Sequence, residues 1–464
     1  MQISWGLCHN RTQERKKNED IHMAQFTKRL SSAQIIILGF AAMILLGSLL
    51  LMLPIATRDR QGAVFSDALF TATSAVCVTG LVVQDTATYW SPFGQAIILT
   101  LIQVGGMGVV TVAVALALVS GKKISLKQRS TMQEAISAPK VGGIVRLTGF
   151  ILRMTILFEL LGAAVMAPVF CRELGLWKGL WYSVFHAISA FCNAGFDLMG
   201  YKARFSSLTS FATQPVINVT IMALIVIGGI GFLTWDDVKT NKLRWKRYRM
   251  QSKVILITTA LLLALPAIYF FFLEFSGLSM GERIWSSLFQ SVTPRTAGFN
   301  TADLTALSET GLALIILLML VGGSPGSTAG GMKTTTLAVL LSTASSVFRR
   351  KEHTHFFGRR VSDETVRTAT TIGTMYLIMF LTGGFLISRV EGLPLLTCLF
   401  ETASAVGTVG LTLGITPGLG LFSQAILIAL MYFGRVGGLT LIFAALSSSQ
   451  GNTARLPQEK LTVG

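Results

Sequence analysis

The stretch "VCVTGL" at 76–81 closes an amphipathic run of small and apolar residues with a glycine, and it returns as "FCNAGF" (191–196), "PRTAGF" (294–299) and "VGTVGL" (406–411). A segment of 11 or 12 residues leads into each: "SDALFTATSAV", "WYSVFHAISAF", "RIWSSLFQSVT" and "LLTCLFETASAV". At 1.5 Å per residue, a helix of that length covers only about half of the ~30 Å hydrocarbon thickness of a bilayer. Chain that enters so far must turn back. Irregular backbone at that depth is tolerated only where protein buries it or water reaches it. Four returning loops in one orientation meet this condition together by facing a shared axis.

Composition supports a membrane setting. Of 464 residues, 52% are hydrophobic and 13% charged, and the mean hydropathy is +0.62, which leaves too little charge to cover a soluble globule of this size. Apolar stretches long enough to span start near Ala33, Val145, Val254 and Thr368, and others follow the motifs near Gln95, Val216, Gly311 and Ser423. The net charge of +17 is unevenly placed: 27 of the 39 Lys and Arg fall in 1–32, 121–146, 236–253, 349–367 and 451–464. By the positive-inside rule these segments face the cytoplasm of a multi-pass plasma-membrane protein, with both termini inside and the motifs opening outward. Topology accounts for the basic total, so no nucleic-acid partner is expected. The odd five cysteines, with no CxxC, give neither a disulfide framework nor a zinc site. "HTH" (353–355) reads as a solvated part of a basic loop, and the charged polar N-terminus does not read as a cleavable signal peptide, with Met23 an alternative start.

Gly80, Gly195, Gly298 and Gly410 are separated by 115, 103 and 112 residues. A period of that size marks internal repeats: 33–120, 121–240, 241–348 and 349–450, between a cytoplasmic segment 1–32 and a tail 451–464. The fold expected is an all-α polytopic membrane protein of four parallel helix–pore loop–helix repeats. Eight spanning helices would surround one central pore with fourfold pseudosymmetry. Inverted repeats would put alternate units upside down, against the charge count. At the narrow point of a pore, backbone carbonyls can replace an ion's water shell where side chains are small and glycine permits unusual dihedral angles. The short helices would aim their negative carbonyl ends at the axis and favour a cation.

The second helices carry glycine pairs, in "QVGGMGVV" (103–110), "VIGGIGFL" (226–233) and "YFGRVGGLT" (432–440), whose simplest role is close helix packing. The third departs from this. It contains Gly322, Gly323, Ser324, Pro325, Gly326, Ser327, Thr328, Ala329, Gly330 and Gly331 in sequence. Against alanine in a helix, each glycine costs about 1 kcal/mol and the proline about 3, so a flexible intramembrane loop is expected there.

With these features the chain resembles the Trk/Ktr/HKT superfamily of potassium transporters over about residues 30–450, and most of all the Ktr membrane subunit, having no room for an additional N-terminal helix pair. The resemblance implies a potassium-uptake pore subunit, homodimeric, with one pore per chain, often sodium-dependent, and gated by a cytosolic nucleotide-binding ring. Nucleotide would act only through that partner. The implied filter residues are Val78, Thr79 and Gly80; Asn193, Ala194 and Gly195; Thr296, Ala297 and Gly298; and Thr408, Val409 and Gly410. Relatives that pass sodium often have serine at the first of the four glycines; Gly80 therefore favours potassium. The ten-residue loop corresponds to the family's gate below the filter, and Arg435, an intramembrane charge inside a glycine motif, borders it.

Five other charges are singled out. Arg153 and Glu159, six residues apart on one helix, are expected to find structural partners on neighbouring helices rather than each other. Lys333 would snorkel to the cytoplasmic interface. Asp197 and Glu401 flank motifs on the outer side, where either a weak cation-attracting field or a solvated surface is open. No nucleophile–base pair or Walker loop is present, so no catalytic chemistry is expected. The competing reading is a coupled secondary transporter for sodium or another solute.

Overall fold

The computed structural model describes residues 31–119, 124, 126–136, 143–242, 244–437 and 440. The N-terminal basic segment up to residue 30, part of 121–146, and the tail 451–464 lie outside the described residues. Among the described residues, four helices are long and apolar enough to cross a bilayer: Ser32–Leu51, Ile144–Leu174, Met250–Glu274 and Asp363–Glu391. Their ends follow local chemistry. Ser31 and Gln34 form a reciprocal capping box at the start of the first. The fourth begins at Ser362, whose side chain caps Thr365 N, carries Asp363 and Glu364 in its first turn, and ends with Arg389 before Gly392.

After each long helix comes a short one: Phe65–Val76, Leu176–Phe191, Met280–Val292 and Leu395–Gly407. These short helices form the interior. Phe70, Phe185, Phe191, Phe289 and Phe400 are all fully buried or nearly so, whereas Leu49, Leu160, Leu265 and Phe272 on the long helices are 60–63% exposed. Apolar residues on the outside suit hydrocarbon, and the protein's small and polar residues collect within.

The return halves, Pro92–Met107, Pro215–Ile230, Glu309–Leu320 and Leu421–Val436, are shorter than the continuous spans expected from hydropathy. The first stops at Gly108 (φ 87°), the second at Gly231 (φ 99°), and the fourth at Gly437 (φ 88°). The chain turns by 95° between Pro215–Ile230 and Phe232–Asn241. A left-handed residue breaks the α-helical ladder, and glycine adopts it without a Cβ penalty. Hydropathy does not report such a break, because the residues on both sides remain apolar.

The packing role expected of the glycine pairs is met. A Cβ at Gly105 would come within 2.0 Å of Val76 O, at Gly228 within 2.1 Å of Phe191 O, and at Gly434 within 2.2 Å of Val406 O. Each return helix thus lies against the carbonyl end of the short helix that precedes it. The third return half opens instead into 322–331, with helix resuming at Thr334–Phe348.

Candidate functional site: a ring of four glycine loops and the loop beneath it

Each short helix ends in one of the four motifs, and the same backbone recurs in all of them. Val78, Asn193, Thr296 and Thr408 have φ of 50°, 59°, 61° and 51°, and Gly80, Gly195, Gly298 and Gly410 have φ of 90°, 69°, 75° and 95°. For a β-branched residue such as Val78 or Thr408, positive φ is a strained conformation that the surroundings must hold in place. Local hydrogen bonds do so. Thr79 N donates to Ser74 O, Ala194 N to Ser189 O and Val409 N to Ser404 O, all at 2.8 Å. The serine hydroxyls add a second tie: Gly80 N donates to Ser74 Oγ at 3.0 Å and Gly410 N to Ser404 Oγ at 2.9 Å. In the other two units the hydroxyl donates outward instead, Ser189 Oγ to Phe196 O at 2.7 Å and Thr293 Oγ1 to Phe299 O at 2.5 Å. Sequence reading passed over these four hydroxyls, although Ser74, Ser189 and Ser404 share one position six residues ahead of the glycine.

The loops close on one another in chain order. A Cβ at Gly80 would meet Ala194 O, at Gly195 Ala297 O, at Gly298 Val409 O, and at Gly410 Thr79 O, at 2.1–2.7 Å. The eight non-glycine residues of the triplets are buried. Among the described residues, no hydrogen bond engages Thr79 O, Ala194 O, Ala297 O or Val409 O. Buried carbonyls are nearly always paired. Four unengaged ones, side by side in a ring, have acceptor capacity to give.

The expected loop 322–331 lies directly under this ring. Gly330 faces Thr408, whose Oγ1 a Cβ would approach to 2.2 Å, and Thr328 Oγ1 reaches Phe191 O at 3.0 Å and Asn193 Oδ1 at 2.9 Å. The loop is also stitched to the return helices: Ser324 N donates to Gly229 O at 2.9 Å, Phe232 N to Gly326 O at 2.7 Å, and Gly331 N to Gly434 O at 3.1 Å. Arg435 donates to Thr328 O in the loop and to Gly105 O and Gly106 O at the break of the first return helix. On the other side of the loop lies a cavity of about 820 Å³, bordered by Gly326, Ser327, Met332, Lys333 and Arg435 and by Ile36, Phe40 and Tyr376. No triplet residue borders it. The loop and Arg435 therefore separate the ring from the cavity.

One sequence expectation changes, and one open alternative closes. Lys333 does not snorkel away: its Nζ donates to Ala329 O at 2.9 Å and Gly330 O at 3.3 Å, because a loop without a helical ladder leaves carbonyls for a nearby ammonium. Glu401 is not a solvated outer residue. It is fully buried within Leu395–Gly407, and it accepts from Thr412 Oγ1 and, at 3.1 Å, from Thr416 Oγ1. Asp197 is half-buried and accepts from Met199 N at 2.8 Å. Glu159 has the neighbouring-helix partner expected of it, Gln103 Nε2 at 2.9 Å, while Arg153 is exposed.

Comparison with known proteins identifies the family. Residues 13–455 match the family model TrkH, described as a cation transport protein. The chain is 40% identical to the potassium/sodium uptake protein NtpJ of Enterococcus hirae, covering 94% of this chain and 98% of the relative. It is 39% identical to the Ktr system potassium uptake protein B of Bacillus subtilis, covering 94% and 97%. The fold is similar to the crystal structure of the potassium transporter TrkH from Vibrio parahaemolyticus, with a TM-score of 0.69 at 20% identity, over 89% of this chain and 84% of that one. A chain with these motifs, this fold and a family match over nearly its whole length belongs to the TrkH family of cation transport proteins.

Proposed function

We propose that this protein takes up potassium across the plasma membrane as the ion-translocating subunit of a Ktr-type system, without catalytic chemistry of its own. The observation that carries the reading is the ring of unengaged carbonyls at Thr79, Ala194, Ala297 and Val409, which can take over the hydration shell of a cation. The four triplets are then the selectivity filter, and potassium is the cargo they pass. Sodium is the second reading, favoured by the name of the Enterococcus hirae relative, a potassium/sodium uptake protein. The same proposal arranges 33–120, 121–240, 241–348 and 349–450 as four parallel repeats with fourfold pseudosymmetry, both termini cytoplasmic.

The loop 322–331, with Arg435, is the gate in this reading. It lies between ring and cavity, and a guanidinium retains its charge at any physiological pH, so it opposes a cation there. The chain assembles as a homodimer and is regulated by a cytosolic nucleotide-binding ring docked on its basic faces. Potassium uptake in cells lacking their own potassium systems, with and without a co-expressed cytosolic subunit, tests the whole. Growth at low potassium is expected, and failure to rescue in both conditions removes the reading.

A further inference from the structure

The position just before each triplet holds Cys77, Cys192, Arg295 and Gly407. One of four equivalent places around the ring thus carries a full charge. Arg295 is 6% exposed, and among the described residues its Nε has no hydrogen-bond partner. None of the ion pairs among the described residues includes it. Its side chain borders a small cavity whose other walls are Ile225, Val226, Gly229, Leu263 and Val292. These walls supply no carboxylate, and the space has room for about one water molecule, which can accept a hydrogen bond but cannot neutralise the charge.

Burying an arginine without a counter-charge is costly, so its placement calls for a compensating benefit. Arg295 N bonds to Val292 O at 3.2 Å, which sets the residue at the carbonyl end of Met280–Val292. A cation there offsets the negative helix end that would otherwise help to hold a cation in the ring. In a medium of low dielectric, a fixed charge acts over several ångströms. We propose that Arg295 tunes the ring's affinity, as a fixed positive charge at the start of the third loop that weakens cation binding in the ring and so speeds release. Conduction needs sites that bind well enough to admit an ion and loosely enough to let it go. The inference rests on the reading of the ring as the filter.

The test is potassium uptake by the full chain in potassium-system-deficient cells, comparing wild type with Arg295→Gln and Arg295→Lys. Arg295→Gln is expected to lower the KM for potassium roughly fivefold to tenfold and to lower the maximal rate as well. Arg295→Lys, which keeps the charge, should hold both within about twofold of wild type. Loss of a merely structural arginine would lower the rate but would not tighten KM. An unchanged or raised KM in Arg295→Gln overturns the proposal, as does Arg295→Lys behaving like Arg295→Gln. Arg295→Met serves if the glutamine variant fails to reach the membrane, and if neither assembles Arg295 is a folding element and the proposal falls. Absence of uptake by wild type would instead defeat the filter reading itself.

Discussion

Thr328 Oγ1 sits 2.9 Å from Asn193 Oδ1 and 3.0 Å from Phe191 O, which ties the middle of the 322–331 loop to the second of the four glycine motifs. The loop's resting position and the ring's geometry therefore share a hydrogen bond. Thr328→Val keeps the shape and replaces the hydroxyl by a methyl group, removing the single proton that Phe191 O and Asn193 Oδ1 share. An unsatisfied buried group costs about 1–3 kcal/mol, enough to favour a displaced loop. Rubidium flux through proteoliposomes should rise several-fold. Wild-type flux from a correctly assembled variant would mean that the loop is not a barrier.

Gly80→Ser probes the ring. A Cβ at Gly80 would stand 2.4 Å from Ala194 O and 3.1 Å from Gly195 Cα, at a φ of 90° that a side chain resists. The second loop must give way, and the oxygens it contributes move with it. The ratio of potassium to sodium uptake constants should fall, because the spacing and field of the carbonyls set selectivity. An unaltered ratio would argue that this loop does not discriminate between ions.

Local pattern made much of this molecule legible. The four triplets stand out because one short run recurs with its leading amphipathic helix, and the loop because ten small residues with Pro325 cannot continue a helix. Breaks at Gly108, Gly231 and Gly437 were hidden, since a glycine pair in apolar sequence serves a straight helix and a broken one equally well. The bonds of Arg435 to Gly105 O and Gly106 O join positions about 330 residues apart. No periodicity encodes such a contact. The setting of Glu401 stayed open for a related reason: a carboxylate beside a motif fits a cation-attracting field or a solvated surface equally well until the threonines folded over it are known.

Glu401 offers a test of that burial. Thr412 Oγ1 and Thr416 Oγ1 both donate to it, which fastens the chain after the fourth motif to the short helix before it. Glu401→Ala should destabilise the protein by about 3 kcal/mol, combining two lost hydrogen bonds with a cavity. Glu401→Gln retains an acceptor of similar shape and should cost less than half as much. Thermal unfolding in detergent checks the order, and equal melting of both variants with wild type would show that this bridge contributes nothing.

Arg435 and the loop are expected to act as one barrier. The guanidinium holds Thr328 O on one side and Gly105 O and Gly106 O on the other, so it spans from the loop to the break in the first return helix. Arg435→Ala removes both the charge and the strap, and potassium flux should rise several-fold. Shortening 322–331 should raise flux as well. If both groups contribute to the same obstacle, the double change gains less than the sum of the two in free energy, since residues in one network are not additive. The opposing view makes Arg435 a structural anchor whose loss only misfolds the protein. Expression level and melting temperature separate the two: a normally assembled Arg435→Ala with wild-type or reduced flux would leave the arginine as scaffold and the barrier elsewhere.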